Sequence, residues 1–208
     1  MAIAGGTVAA GAARRRTSVT LWIILVLSAA VGLYGLSYLS GHAAPPGVSG
    51  NHAGLGLLIV HASCAGTALL LGPWQFFASI RQRRPKVHRW IGRTYVTLCV
   101  VGGLTGAILA LNTTAGEVAR WGFGLLAVTW LTCTSLAYLA ARRRDFVSHR
   151  RWMIRSFALT FAAVTLRLYI PLSAMAGLSF AFAYSLIAWA AWVPNLAFAE
   201  TWLRTRRA

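Results

Sequence analysis

The sequence predicts an all-α integral membrane protein with six transmembrane helices, four of them forming a core built from a parallel duplicated hairpin. Three observations carry that prediction. The first is composition: of 208 residues 58% are hydrophobic and 11% charged, whereas a soluble domain carries about a quarter of its residues charged. The second is spacing, because 18 of the 20 Lys and Arg residues lie in four clusters separated by long apolar runs, and crossing the hydrocarbon core takes about 20 apolar residues. The third is repetition. The stretch Arg81 to Tyr95, RQRRPKVHRWIGRTY, is written again at Arg142 to Phe157, RRRDFVSHRRWMIRSF. His88 answers to His149, and after a one-residue slip Trp90 and Arg93 answer to Trp152 and Arg155.

Residues 1–20 read as a mobile tail, Gly/Ala-rich and then basic at Arg14 to Arg16. Residues 21–40 read as the first helix. Its apolar run is longer than the roughly 7 to 15 residues of a signal-peptide core, so it is expected to be retained. Gly41 to Gly54 is rich in Gly and Pro and reads as a loop. The duplicated core is assigned to residues 53–175. Its second span, Leu55 to about Ile80, contains Pro73, which places a kink near Leu69. The third span, Trp90 to Leu111, carries Gly102 and Gly106, a GxxxG spacing that lets helices approach closely. Asn112-Thr113-Thr114 fits a glycosylation acceptor, meaningful only in a eukaryotic secretory route. The fourth and fifth spans cover about Trp121 to Ala141 and Trp152 to Met175. Residues 178–203 form the sixth span and 204–208 a basic tail. Trp22, Trp90, Trp121, Trp152 and Trp202 fall near span ends, as an interfacial aromatic belt requires.

The four clusters place both termini and both repeated loops on one side, with Arg120 on the other. Lys and Arg are retained in the cytoplasm, so the expected location is a bacterial plasma membrane with both ends cytoplasmic. The formal charge of +17 is spread over interfacial loops. That distribution predicts contact with anionic lipid headgroups and excludes nucleic acid as the partner. A redox partner or a homo-oligomer is left open.

The runs HxxxxGTxLLLGPWQF, RxxxHRWIGRTYV and HRRWMIRSFALTFAAVTLR resemble the bacterial membrane proteins of domain-of-unknown-function family 2306, over roughly Ala53 to Met175. That likeness implies a multi-pass fold with no assigned reaction. A more distant resemblance is to the cytochrome b561 group, six-helix proteins whose four central helices hold two haems through histidines. This sequence departs from that pattern, because its fourth span has no histidine.

Two function classes follow. The first is a haem-binding membrane oxidoreductase or electron-transfer subunit. A haem b between helices needs facing imidazoles, with cations for its propionates. His88 and His149 are the candidate iron ligands and His61 a further one; Arg89, Arg93, Arg150 and Arg155 are the candidate propionate or lipid contacts. His88 and His149 also read as anchors at the lipid headgroups, and His61 as a neutral histidine hydrogen-bonded to a helix carbonyl or a Thr hydroxyl. The second class is a redox-inert transporter, lipid-binding or assembly protein with a polar pocket around His61 and Arg167. His61 lies about 12 Å from the nearer end of its span and Arg167 about 12 Å from the end of span five. Ionisable groups at such depth are candidates for function, although Arg167 also has the option of snorkelling outward.

The three acids offer little catalytic material. Glu200 is spaced to pair with Arg204, Glu117 lies beside Arg120, and Asp145 sits among arginines. No paired carboxylates and no HExxH, GxSxG or P-loop pattern are present, which excludes the hydrolytic and nucleotide-driven classes those motifs mark. Cys64, Cys99 and Cys133 lack CxxC spacing and read as packing residues.

Overall fold

The structure is a computed structural model that describes residues 3–40 and 51–205, with side chains from Val19 onward. Helix α1 runs Ile3–Leu36 and ends in a 3-10 turn, Ser37–Ser40. Then come α2, Leu55–Leu71, a 3-10 turn at Pro73–Phe76, and the short α3, Ala78–Arg83. Helix α4 is Pro85–Leu111 and α5 is Glu117–Arg142. The fifth span is two helices, α6 at Phe146–Thr160 and α7 at Ala162–Met175; the sixth is α8 at Phe180–Ala190 and α9 at Val193–Thr205. Six stretches are long and apolar enough to cross a membrane, Val19–Ser40, Leu55–Phe76, Pro85–Leu111, Glu117–Arg142, Phe146–Met175 and Phe180–Thr205. The protein is a membrane protein with six transmembrane helices.

Large apolar side chains such as Leu33, Leu104, Val128 and Phe198 are exposed on the outside of the bundle. In lipid that is no liability, because hydrocarbon is as apolar as the side chains it meets. Many buried positions are instead small or polar, as at Ala68, Ala137, Ser156, Thr134 and Ala188, and they pack beside larger buried side chains such as Leu69, Val164 and Phe157.

Several elements differ from the sequence reading. Residues read as a tail are helical from Ile3, so the first helix begins well before residue 21. The Gly41 to Gly50 part of the first loop, and the basic tail beyond Thr205, lie outside the described residues. Pro73 ends its helix instead of kinking it near Leu69: α2 stops at Leu71, and Pro73 opens the 3-10 turn from its N-terminal position, where a missing N–H costs nothing. Gly72 makes that ending possible, since a Cβ there would fall 2.5 Å from the Phe157 ring. Glu200 also departs from expectation. It takes two hydrogen bonds from Arg155 across the α6–α9 contact, one to Oε1 and one to Oε2 at 3.0 Å.

Helices α1 and α2 approach each other closely at their glycines. A Cβ on Gly66 would lie 2.9 Å from the Gly32 carbonyl, and one on Gly35 would lie 3.0 Å from the Ala62 carbonyl. Small residues at these positions bring the first span directly onto the second. Helices α2, α4, α5 and α6 pack on one another in sequence order, and α8 and α9 lie against α5 and α6.

Between α4, α5 and α6 the bundle contains a closed set of buried hydroxyls. Thr160 donates to the Ser156 carbonyl at 2.9 Å, which leaves its oxygen to accept from Trp130 Nε1 at 2.9 Å and from the Tyr95 hydroxyl at 2.8 Å. The Tyr95 oxygen then accepts from Ser156 Oγ at 3.1 Å, and Ser156 from Thr134 at 2.7 Å. Every proton has an acceptor, the condition for polar groups to sit at a helix interface in hydrocarbon.

Candidate functional site: a polar cavity behind two broken helices

The fifth span breaks at Phe161, where Val164 donates to the Phe161 carbonyl at 2.9 Å in an i to i+3 turn. Side-chain insertion into the backbone ladder is a recognised cause of such breaks. Here Asn195 of α9 donates to the Ala158 carbonyl at 3.4 Å and to the Thr165 hydroxyl at 2.9 Å, spanning the break. The sixth span breaks beside it at Ala191 and Trp192, just before Pro194, whose ring removes a backbone donor. Asn195 also donates to the Ala191 carbonyl at 3.0 Å, so one carboxamide ties both interruptions together.

The consequence is a change of partners along the fifth span. Its first half, α6, packs on α5 and α9, whereas α7 packs mainly on α8 and α1. A cavity of about 560 Å³ lies beside α7, in the half of the bundle away from the arginine-rich loops. Apolar side chains from α1, α2, α4, α5 and α7 form most of its wall. Its polar lining among the described residues is Tyr34, Tyr38, Asn51, His61, Thr113, Thr160, Arg167 and Tyr184. The volume is that of a site for a drug-sized molecule.

His61 is held in one orientation. Its Nδ1 lies 2.8 Å from the Gly102 carbonyl, which only accepts, so Nδ1 carries the proton. The ring lies over Gly106, where a Cβ would come within 2.9 Å of Cε1 and 3.0 Å of Nδ1. The Gly102 and Gly106 pair therefore does more than admit a neighbouring helix: one glycine supplies the carbonyl and the other the space for the imidazole. Nε2 has no hydrogen bond among the described residues, and the ring lines the cavity.

Arg167 lines the same cavity from α7. Its Cζ is 5.1 Å from the centre of the Tyr34 ring, and Tyr38, Tyr184 and His61 interact with it electrostatically. Its Nε is buried without a hydrogen-bond partner among the described residues. Among the described residues no carboxylate pairs with it. Of the chain's three acids, Glu117 pairs with Arg120 and Glu200 with Arg155, while Asp145 caps α6 by accepting from the Ser148 amide at 3.0 Å. Those hydrogen bonds hold the Asp145 carboxyl below its ordinary value.

His88 and His149 are at the opposite end of the bundle, each the fourth residue of its helix, with amide hydrogen bonds back to Arg84 and Asp145. They interact electrostatically. His149 Nδ1 donates to the Ala137 carbonyl at 2.9 Å, and His88 Nδ1 is buried without a partner among the described residues. Neither lines the cavity, whose wall among the described residues includes one imidazole, His61. Arg89, Arg93 and Arg150 are exposed beside the pair, whereas Arg155 is engaged by Glu200. Among the described residues no cluster of three or more metal-ligating side chains occurs.

Sequence reasoning singled out His61 and Arg167 but missed Tyr34, Tyr38 and Asn195. Pro194 beside Asn195 was the available signal for the broken sixth span. The tyrosines gave none, since aromatic residues near span ends are ordinary interfacial anchors.

Comparison with known proteins gives a match over residues 58–203 to a family described as "Predicted membrane protein (DUF2306)". No curated protein and no solved structure matches the chain, and nothing found supports the likeness to cytochrome b561.

Proposed function

The chain belongs to the DUF2306 family of predicted membrane proteins, and from that premise we propose that it binds a small anionic ligand within the membrane, as a transporter or lipid-binding protein whose site is the cavity at His61 and Arg167. The observation that carries this reading is the uncompensated guanidinium. A charged side chain inside a bilayer costs a few kcal/mol or more unless paired or hydrated, and the wall around Arg167 offers aromatic faces and phenols in place of an anion. An anionic ligand supplies the missing partner. The mostly apolar wall matches a ligand that is otherwise apolar.

The test is calorimetric titration of octanoate into the protein in lipid nanodiscs, with empty discs as the blank and octylamine as the charge control. Saturable binding of octanoate and none of octylamine is expected. Arg167→Leu abolishes it and Arg167→Lys restores part, because an ammonium lacks the planar fork that meets a carboxylate through two bonds. Equal octanoate binding by the Leu variant would sink the reading.

The proposal orients the arginine-rich loops and both termini in the cytoplasm of a bacterial plasma membrane, with the basic loops on anionic headgroups, so the cavity occupies the outer half of the bilayer. Reporter fusions after Ala115 and after Ala208 then report opposite sides. The two repeated loops support a duplicated hairpin as the origin of the four central spans, since His88 and His149 occupy the same turn position of α4 and α6.

A second reading concerns that histidine pair. His149 donates through Nδ1 to a carbonyl and leaves Nε2 unengaged, the arrangement second-shell contacts impose on ligating histidines, and Arg89, Arg93 and Arg150 lie within the same basic end. These residues would hold a haem b, which would supply electron transfer. A Soret band that sharpens on dithionite reduction and is lost in His149→Ala supports it, and a colourless protein from haem-supplied cells removes it.

A further inference from the structure

The fixed orientation of His61 says something about the ligand that Arg167 alone does not. Because Nδ1–H is donated to the Gly102 carbonyl, the neutral ring presents at Nε2 a lone pair and no proton. Turning the ring over would replace Nδ1 by a carbon and leave the carbonyl short of this donor. The cavity thus combines two opposite demands: Arg167 offers N–H donors and a positive charge, while His61 offers an acceptor. A plain carboxylate meets the first and leaves Nε2 against its apolar chain, unsatisfied. An oxyanion placed on Nε2 would face a lone pair.

We infer that the ligand is an amphiphilic anion with a hydrogen-bond donor beside its charge, in simplest form a 2-hydroxy carboxylic acid with an apolar tail, its carboxylate on Arg167 and its hydroxyl donating to Nε2 of His61. The inference rests on the reading of the cavity as an anion site. His61 and Arg167 line one cavity, as groups meeting one small ligand require. The apolar wall is left for the tail.

Octanoate and 2-hydroxyoctanoate are compared by calorimetry on the protein in nanodiscs. The hydroxy acid is expected to bind about tenfold more tightly, the equivalent of one hydrogen bond made in a dry site. In His61→Leu the two acids are expected to bind alike. Equal affinities in the native protein overturn the inference and leave the anion site standing, and so does discrimination that persists in His61→Leu. Failure of both acids to bind the native protein overturns the anion site itself. The comparison within the native protein needs no variant to fold.

Discussion

Replacing Gly106 by alanine tests whether the third span is shaped around the His61 ring. The added methyl would lie 2.9 Å from Cε1 and 3.0 Å from Nδ1, so the ring must retreat by roughly half an ångström to reach ordinary van der Waals contact. Gly106 and Gly102 are on the same helix, and the retreat therefore also stretches the 2.8 Å bond to the Gly102 carbonyl. Overpacking costs about 1–3 kcal/mol and a weakened hydrogen bond about 1 kcal/mol, against a gain of up to about 1 kcal/mol from alanine's helix propensity. The net expectation is a loss of about 1–3 kcal/mol. Gly124→Ala is the control, since its Cβ position meets nothing within 4 Å, and it is expected to be neutral or slightly stabilising. The assay is reversible unfolding in mixed micelles, run as a double-mutant cycle with His61→Ala, which removes the ring. In that background Gly106→Ala becomes harmless, giving a coupling of about 2 kcal/mol. The reasoning is refuted if Gly106→Ala behaves like Gly124→Ala, or if its cost persists once the imidazole is gone.

Tyr95→Phe removes a hydroxyl that both donates to Thr160 and accepts from Ser156, and should cost about 1–3 kcal/mol of stability by leaving buried groups short of a partner; an unchanged unfolding midpoint contradicts the network. Glu200→Gln strips the partner from Arg155, whose side chain is only 15% exposed, and should destabilise more than Arg155→Met with Glu200→Gln together, because the pair removed as a whole leaves no uncompensated charge. Asp145→Ala removes the α6 cap. The Asp145 carboxyl has its folded-state pKa lowered by the Ser148 hydrogen bonds, so its contribution is full above the unfolded carboxylate pKa and fades as pH falls through the lower folded value. Melting curves of native protein and variant should therefore differ at pH 7 and converge under strongly acidic conditions, and a constant difference would exclude the ionised cap.

What the sequence by itself determined was the number and rough position of the spans and the identity of the two intramembrane groups. Apolar run length and the exclusion of Lys and Arg from hydrocarbon are local properties, so they can be read without a fold, and an ionisable residue such as Arg167 inside an apolar run is conspicuous for the same reason. Tertiary structure decided where those residues point and what meets them. Glu200 lies one turn from Arg204 yet bonds Arg155 on another helix, because side-chain reach across a helix contact is invisible to spacing along one helix. Asn195 bridges the breaks at Phe161 and Trp192, and although Pro194 marks the second of them, nothing local to the fifth span announces the first. The cavity lies where α7 has other packing partners than α6, and His61 of α2 and Arg167 of α7 both line it. Apolar composition is nearly uniform along these helices, which is why hydropathy locates a span but not its facing, and why only the arrangement of small residues and helix breaks fixes the site.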